Sequence, residues 1–394
     1  MCCLLAFLPL LASAALPPEP PLQPNPLEGV SSALRAFAAA AAAPLPTGFT
    51  RQTYLSTITG IVEWFLPHQN ATTGAIIDPA THEEMEYATP CWAHAAATLV
   101  ARGGRSADLL APASLALSCS IGQLAHAVGQ GKGCATASCD FFMVPVMRAF
   151  DLLSPLAPPA TVAAWEAGLK AISYASFEYT GQNWELTAAA GEYVRLVKKG
   201  WVTNPSINWT FWEGRIGRLA NVGYWSAEGL FLDNVAGSPL PSPMAYDAFG
   251  SSYPAVLLAE GYNATGAYRN FLAATQQRGV WARASYQSPL GEQPVGGRSN
   301  QHQFAEATLC AVAELYAGMA AAAGDAAAAC QLKRTAALYH RSLRRWLRPD
   351  GAIQITKNWF LNYTERFGFM SYSVGARARA RARAQAARPK APPH

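Results

Sequence analysis

Residues 289–306, PLGEQPVGGRSNQHQFAE, concentrate polar side chains around the start of a helix. Glycine and proline constrain the first half of this stretch, and a serine follows as a typical helix N-cap. His302 and Glu306 lie one turn apart, on a face other than the apolar one. The group predicts a binding or catalytic site, and ordinary capping is the alternative interpretation. Its candidate side chains are Glu292, Arg298, Asn300, His302, Gln303 and Glu306.

A second stretch, Gln182-Asn183-Trp184, begins another predicted helix. Asn183 fits a helix cap, and its amide is equally suited to donate a hydrogen bond to a substrate carboxylate. Trp184 is a candidate to stack on a sugar ring. Glu192 is a further candidate for substrate binding, although its spacing from Arg195 is typical of a local ion pair.

A third stretch places Tyr246 and Asp247 at the start of a helix. A phenol in this position can act as an acid or a base, whereas Asp247 fits an N-cap. Sequence signatures of zinc proteases, serine hydrolases, phosphate-binding loops and dinucleotide-binding folds are missing from the sequence. No cofactor and no metal site is therefore expected.

Helical periodicity dominates the elements that must position these residues. Eleven helices are predicted, with short connections that favour antiparallel hairpins. They are expected at residues 53–66, 91–102, 106–128, 141–153, 159–176, 184–198, 205–219, 247–261, 266–285, 300–322 and 325–347. No regular 34- to 45-residue repeat is visible, which disfavours a solenoid. The expected fold is a mainly α (α/α)6-type toroid over residues 48–348.

The ends of the chain differ in composition from this body. Residues 1–15 resemble a signal peptide, with Ala12-Ser13-Ala14 as an A-x-A-like cleavage site, and residues 16–47 form a Pro/Ala-rich linker. Residues 349–373 are expected to start a β-rich segment that is truncated. Residues 374–394 form an Arg/Ala tail.

The tail accounts for the net charge of the chain. The sequence has 394 residues, 30 Lys+Arg, 25 Asp+Glu and a net charge of +5, with only 14% charged residues. Six basic residues lie in the tail, which leaves 24 basic and 25 acidic residues in the body, a net charge of −1. A nucleic-acid partner is therefore not expected, and no segment predicts membrane insertion.

Secretion is the expected localisation, because cysteines and glycosylation sequons accompany the leader. Two disulfides are considered, Cys91 with Cys119 and Cys134 with Cys139. For the first, the two residues lie nearly level across a predicted helical hairpin. The sequons, which also arise by chance, are at Asn70, Asn208, Asn263 and Asn362.

The motifs GEQPVGGRSNQHQFAEA, QNW followed by GEYVR, the Tyr-Asp pair and ITKN resemble those of toroidal carbohydrate-active enzymes. The resemblance is to heparinase II/III-like and alginate-lyase-like polysaccharide lyases and to related secreted toroid proteins, over residues 50–373. It implies β-elimination on a uronic-acid-containing polysaccharide. Asn183, Arg298 and Gln303 would neutralise the substrate carboxylate, His302 or Tyr246 would act as the base, and Tyr246 as the acid.

Two alternatives remain open from the sequence. A glycoside hydrolase would need two carboxyl groups about 5–9.5 Å apart, from Glu192, Asp247, Glu292 and Glu306. A secreted glycan-binding protein or a decayed enzyme would need no converging catalytic groups. The expected partner is a polysaccharide in all three cases.

Overall fold

The computed structural model describes residues 48–84, 88–129, 139–172, 182–202, 208–233, 244–262, 267–294 and 303–353. This part of the chain is mainly helical, as the periodicity predicted, and contains eleven α-helices. Isolated β-bridges occur in it, but no strand of a sheet. Most of the expected β segment, at 349–373, lies outside the described residues.

The helices follow the predicted order, with small shifts in their bounds. They are α1 Arg51–Phe65, α2 Ala88–Arg102, α3 Ser106–Gly129, α4 Met143–Leu153, α5 Pro159–Ala171, α6 Gln182–Glu192, α7 Trp209–Asn221, α8 Met244–Ala259, α9 Ala267–Tyr286, α10 Phe304–Ala322 and α11 Ala326–Arg345. A π-helical segment, Tyr193–Lys198, continues α6. Helix α5 ends five residues earlier than predicted, because Ile172 adopts an extended conformation.

The even-numbered helices form an inner layer. Helix α2 packs on α4, α4 on α6, α6 on α8 and α8 on α10. Residues 88–100 of α2 and 304–317 of α10 are buried without a break. The odd-numbered helices cover this layer and bury one face each, as α1 and α11 do. An all-round apolar helix belongs inside a protein and an amphipathic one at its surface, so the sequence pattern explains the two layers.

Helices α4 and α6 run in parallel and lie in very close contact. A Cβ added to Gly191 would lie 2.2 Å from the Met143 Cβ. Eight residues further along each chain segment, Lys199 Nζ and Asp151 Oδ1 form an ion pair at 2.6 Å. The two contacts are separated by the same number of residues on both segments, so the two helices run in the same direction. Glycine at 191 therefore sets the distance between these inner helices.

Cys119 has a free thiol, so the proposed disulfide between Cys91 and Cys119 is wrong. An equal position along the two helix axes is not enough for a disulfide, because Cys119 lies outside the buried face of α3. Burial, followed by the charge of Glu84, raises the pKa of the Cys119 thiol to about 12. Cys134 and the side chain of Cys139 lie outside the described part.

Two sequons belong to the described residues. The Asn70 side chain is exposed and accepts hydrogen bonds from the amides of Thr72 and Thr73. Asn208 caps α7 by accepting a hydrogen bond from the amide of Phe211. Asn263 and Asn362 lie outside the described residues. Glycosylation at all four positions stays a prediction.

Two helical stretches in the described residues, Ala107–Ala125 and Phe304–Ala322, are long and apolar enough to cross a membrane by length and composition. Most of the second stretch is buried inside the protein. Core helices of folded domains pass the same test, so these stretches are weak evidence for a membrane span.

The contact between α4 and α6 predicts opposite effects for two Gly→Ala substitutions. Gly191→Ala should lower the free energy of unfolding by about 1–3 kcal/mol, because its methyl group overlaps Met143. Gly214 on α7 is exposed and has open space at its Cβ position. Gly214→Ala should therefore raise the free energy of unfolding by about 0.5–1 kcal/mol. Urea unfolding measures both changes, and equal effects would contradict the close contact.

Candidate functional site

The starts of four inner helices meet at one end of the inner layer through a chain of aromatic contacts. The Phe141 ring lies 4.9 Å from Trp184 and 5.7 Å from Phe249, between ring centroids. The Phe249 ring in turn lies 4.6 Å from Phe304. Phe141 lies in the short 3-10 segment Cys139–Phe142 that precedes α4, and the other three rings lie in the first two turns of α6, α8 and α10. We call this region the N-terminal face of the inner layer.

Four of the residues singled out from the sequence lie at this face. Trp184 is one of its rings, and Asn183 precedes it on α6. The Tyr246 ring lies 5.7 Å from Phe249 on α8. Gln303 directly precedes α10. Asn183, Tyr246 and Gln303 are each at most 2% exposed, so the face is a packed polar and aromatic cluster.

Asn183 has unused hydrogen-bonding capacity in this cluster. Its side-chain oxygen is buried and accepts no hydrogen bond from any residue that the structure describes. A buried amide oxygen without a donor costs about 1–3 kcal/mol, unless a ligand or water supplies one. The Asn183 amide is therefore available to contact a bound molecule at the N-terminal face.

Glu306 has a structural contact next to this face. It is fully buried on α10, and its Oε1 accepts a hydrogen bond from the Gln293 amide at 3.2 Å. The Gln293 side-chain oxygen accepts a further bond from the Tyr339 hydroxyl at 3.1 Å. Glu306 thus connects α10 to the loop after α9 and to α11.

Glu192 and Glu292 are each paired with an arginine. Both Glu192 oxygens accept hydrogen bonds from Arg195 at 2.7 Å, and this ion pair is buried. Nine residues separate Glu192 from Asn183, about 13 Å along the helix. Glu292 is 34% exposed in a turn and lies 3.4 Å from Arg345. His302, Arg298 and Asn300 lie outside the described residues.

Asp247 is held by a buried network that the sequence did not predict. Arg283 donates to both of its carboxylate oxygens at 2.6 Å, and the Phe231 amide donates to Oδ1 at 2.6 Å. The Tyr286 hydroxyl lies 3.3 Å from Oδ2. Burial alone lowers the pKa of Arg283, but the charge of Asp247 outweighs it and raises that pKa overall. The ion pair anchors the start of α8, next to Tyr246, on α9.

His94 is a second feature that sequence analysis missed. It lies in the middle of α2 and is fully buried, and neither ring nitrogen forms a hydrogen bond within the described part of the chain. Burial, followed by the positive charge of Arg148, lowers the pKa of His94 to about 3. The imidazole is therefore neutral at physiological pH. Its only sequence signal was a single polar ring in an Ala-rich helix.

Metal binding finds no support in the part of the chain that the structure describes. Nowhere in that part do three His, Cys, Asp or Glu side chains come close enough to hold a metal ion. The polar side chains next to the aromatic rings of the N-terminal face are an amide, a phenol and a second amide. They are suited to orienting a ligand and to moving a proton.

Comparison with known protein families finds no match for the chain, and comparison with curated proteins finds none either.

The buried histidines predict acid-sensitive folding. The pKa of His94 is lowered from 6.5 to about 3, so between these values the unfolded chain binds a proton that the folded chain excludes. Stability should thus fall as the pH is lowered, by about 2 kcal/mol for His94 between pH 7 and pH 5. His340, whose pKa burial lowers to about 4, should add to this.

Denaturant unfolding at several pH values measures this dependence. His94→Leu should flatten it, whereas His68→Gln, at a partly buried histidine, should leave it unchanged. An equally steep pH dependence in the His94→Leu protein would contradict the assignment of a neutral buried imidazole.

The Asp247–Arg283 ion pair predicts a large stability effect. Asp247→Asn should lower the free energy of unfolding by about 3–5 kcal/mol, because Arg283 then stays buried without a counter-charge. Asp350→Asn is the matched control, since the pair of Asp350 with Arg348 is exposed and should contribute less than about 1 kcal/mol. Calorimetric or urea unfolding compares the two, and similar losses would contradict a structural role for the buried pair.

Proposed function

We propose that the protein is a secreted carbohydrate-active enzyme with an (α/α)-toroid fold, which cleaves a uronic-acid-containing polysaccharide by β-elimination. The alternation of buried and covering helices supports the toroid, because successive hairpins place every second helix inside. Secretion is supported by the leader-like start of the sequence and by the sequons. The proposed substrate rests on the resemblance to polysaccharide lyases.

The observation that supports the proposal is that Asn183, Tyr246 and Gln303 all lie beside one connected group of aromatic rings, at the N-terminal face. β-Elimination requires neutralisation of the substrate carboxylate, which makes the proton on C5 more acidic. The side-chain NH2 groups of Asn183 and Gln303 and the guanidinium of Arg298 would donate hydrogen bonds to this carboxylate, and the Asn183 oxygen would accept one from a sugar hydroxyl. The proton is then removed by His302 or Tyr246.

The leaving oxygen must be protonated in the same reaction. Tyr246 is the proposed acid, since a phenol at the start of α8 can donate to the glycosidic oxygen. The C5–H bond and the bond from C4 to the glycosidic oxygen break, and a C4–C5 double bond forms in the new non-reducing end. Neither a metal nor a redox cofactor is needed for these bond changes.

The hydrolase alternative is less well supported. It requires two available carboxyl groups facing one cleft. Asp247 and Glu192 are each held by both oxygens in a buried ion pair with an arginine. Two of the four candidate carboxyl groups thus already have structural partners.

Lyase activity is tested by incubating the purified protein with a panel of uronate polysaccharides and following the ultraviolet absorbance of the unsaturated product. Tyr246→Phe should reduce the rate by about 10²–10⁴-fold, the usual contribution of a general acid or base. Tyr253→Phe removes the same hydroxyl from another buried tyrosine of α8 and should leave the rate unchanged.

The outcomes separate the three functions. New reducing ends without the absorbance change would replace the lyase proposal with a hydrolase. Binding without any cleavage would favour a glycan-binding protein. Equal losses in the two tyrosine variants would mean that the N-terminal face is not the active site.

A further inference from the structure

A second cleft lies on the outside of the helical layers. It has a volume of about 820 Å³ and is formed by the second half of α1, the end of α11 and residues 347–351. A close backbone contact shapes it, because a Cβ added to Gly351 would lie 2.5 Å from the Gly60 carbonyl oxygen. Gly351 has a φ of +88°, which also favours glycine. The shape of the cleft is thus set by backbone packing rather than by side-chain positions alone.

The basic wall of this cleft belongs to the most positively charged helix of the described chain. Helix α11 carries five Lys or Arg residues and no acidic residue. The body as a whole is close to neutral, so positive charge is concentrated here. A ligand approaching this side of the molecule meets a favourable potential if it is negatively charged.

One guanidinium in the cleft has no counter-charge. Arg348 pairs with Asp350 at 3.1 Å, and Glu63 pairs with Arg105 at 2.7 Å. Arg344 is exposed and lines the cleft, and it forms no ion pair with any of the described residues. The charged pairs neutralise each other, so Arg344 sets the preference of the cleft for an anion.

The remaining lining is suited to a sugar. Trp64 lies in the cleft with the His68 ring 5.4 Å away, and an indole face can pack on the apolar face of a pyranose. Ser56 adds a hydroxyl group, and Glu63 adds acceptors. Sugar hydroxyls both donate and accept hydrogen bonds, so a lining with donors and acceptors suits them.

We propose that this cleft is a second binding site, specific for a short acidic oligosaccharide whose carboxylate pairs with Arg344 and whose ring packs on Trp64. The choice of an acidic sugar rests in part on the proposed function. The site would hold one part of the polymer at the outer surface while another part reaches the N-terminal face. It would raise the local substrate concentration without taking part in the reaction.

Calorimetric titration with a galacturonate trisaccharide tests this site. The titrations use protein that carries Asn183→Ala, so that occupancy of the N-terminal face does not contribute. Arg344→Gln should weaken binding by about tenfold or more, the effect of losing one charge-assisted hydrogen bond. Arg334→Gln makes the same change at an exposed position of α11 outside the cleft and should change affinity less than about twofold.

Several results would overturn the site. They are no binding, equal weakening by the two substitutions, or equal affinity for the neutral galactose trisaccharide. Tighter, Arg344-dependent binding of a single-stranded RNA would replace it with a nucleic-acid surface. The two proposals can also fail separately. Arg344-dependent binding in a protein without lyase activity would contradict only the proposed function. Lyase activity without such binding would contradict only the second site.

Discussion

Close packing of alanine- and glycine-rich helices is the constraint on which the rest of this structure depends. Helices α2 and α10 are buried over 13 and 14 consecutive residues, so they have no face in contact with water. Small side chains allow this, because neighbouring backbones approach until a glycine such as Gly191 is required. Every polar group on an inner helix must therefore find a partner within the protein or in a ligand.

Two buried ion pairs meet much of this requirement. In each pair, Asp247 with Arg283 and Glu192 with Arg195, both carboxylate oxygens accept hydrogen bonds from the arginine. They fix the start of α8 and the end of α6, so they position the helices that carry Tyr246 and Asn183. The Asn183 side-chain oxygen, by contrast, has no donor among the residues that the structure describes. Its place among aromatic rings at the N-terminal face is what makes that face the candidate site.

The net charge of the body did not predict where positive charge lies in the structure. The near-neutral body argued against a surface that attracts anions, yet α11 collects basic residues on one outer helix. Averaging over the chain hid this, because acidic residues elsewhere balance the total.

The mistaken pairing of Cys91 with Cys119 has a similar origin. Position along a helix axis follows from residue number, whereas rotation about the axis depends on which face is packed.

The sequence by itself determined the eleven helices, their order and the mainly α class, because helical periodicity and capping are local properties. It also indicated that the polar residues gather at helix starts, including Asn183, Tyr246 and Gln303. Only the tertiary structure decided which of these starts lie together and which acids are already held in ion pairs. Arg283 reaches Asp247 across 36 residues, and His94 is buried by helices distant in the chain. Such contacts depend on how whole helices pack, and no local pattern encodes that.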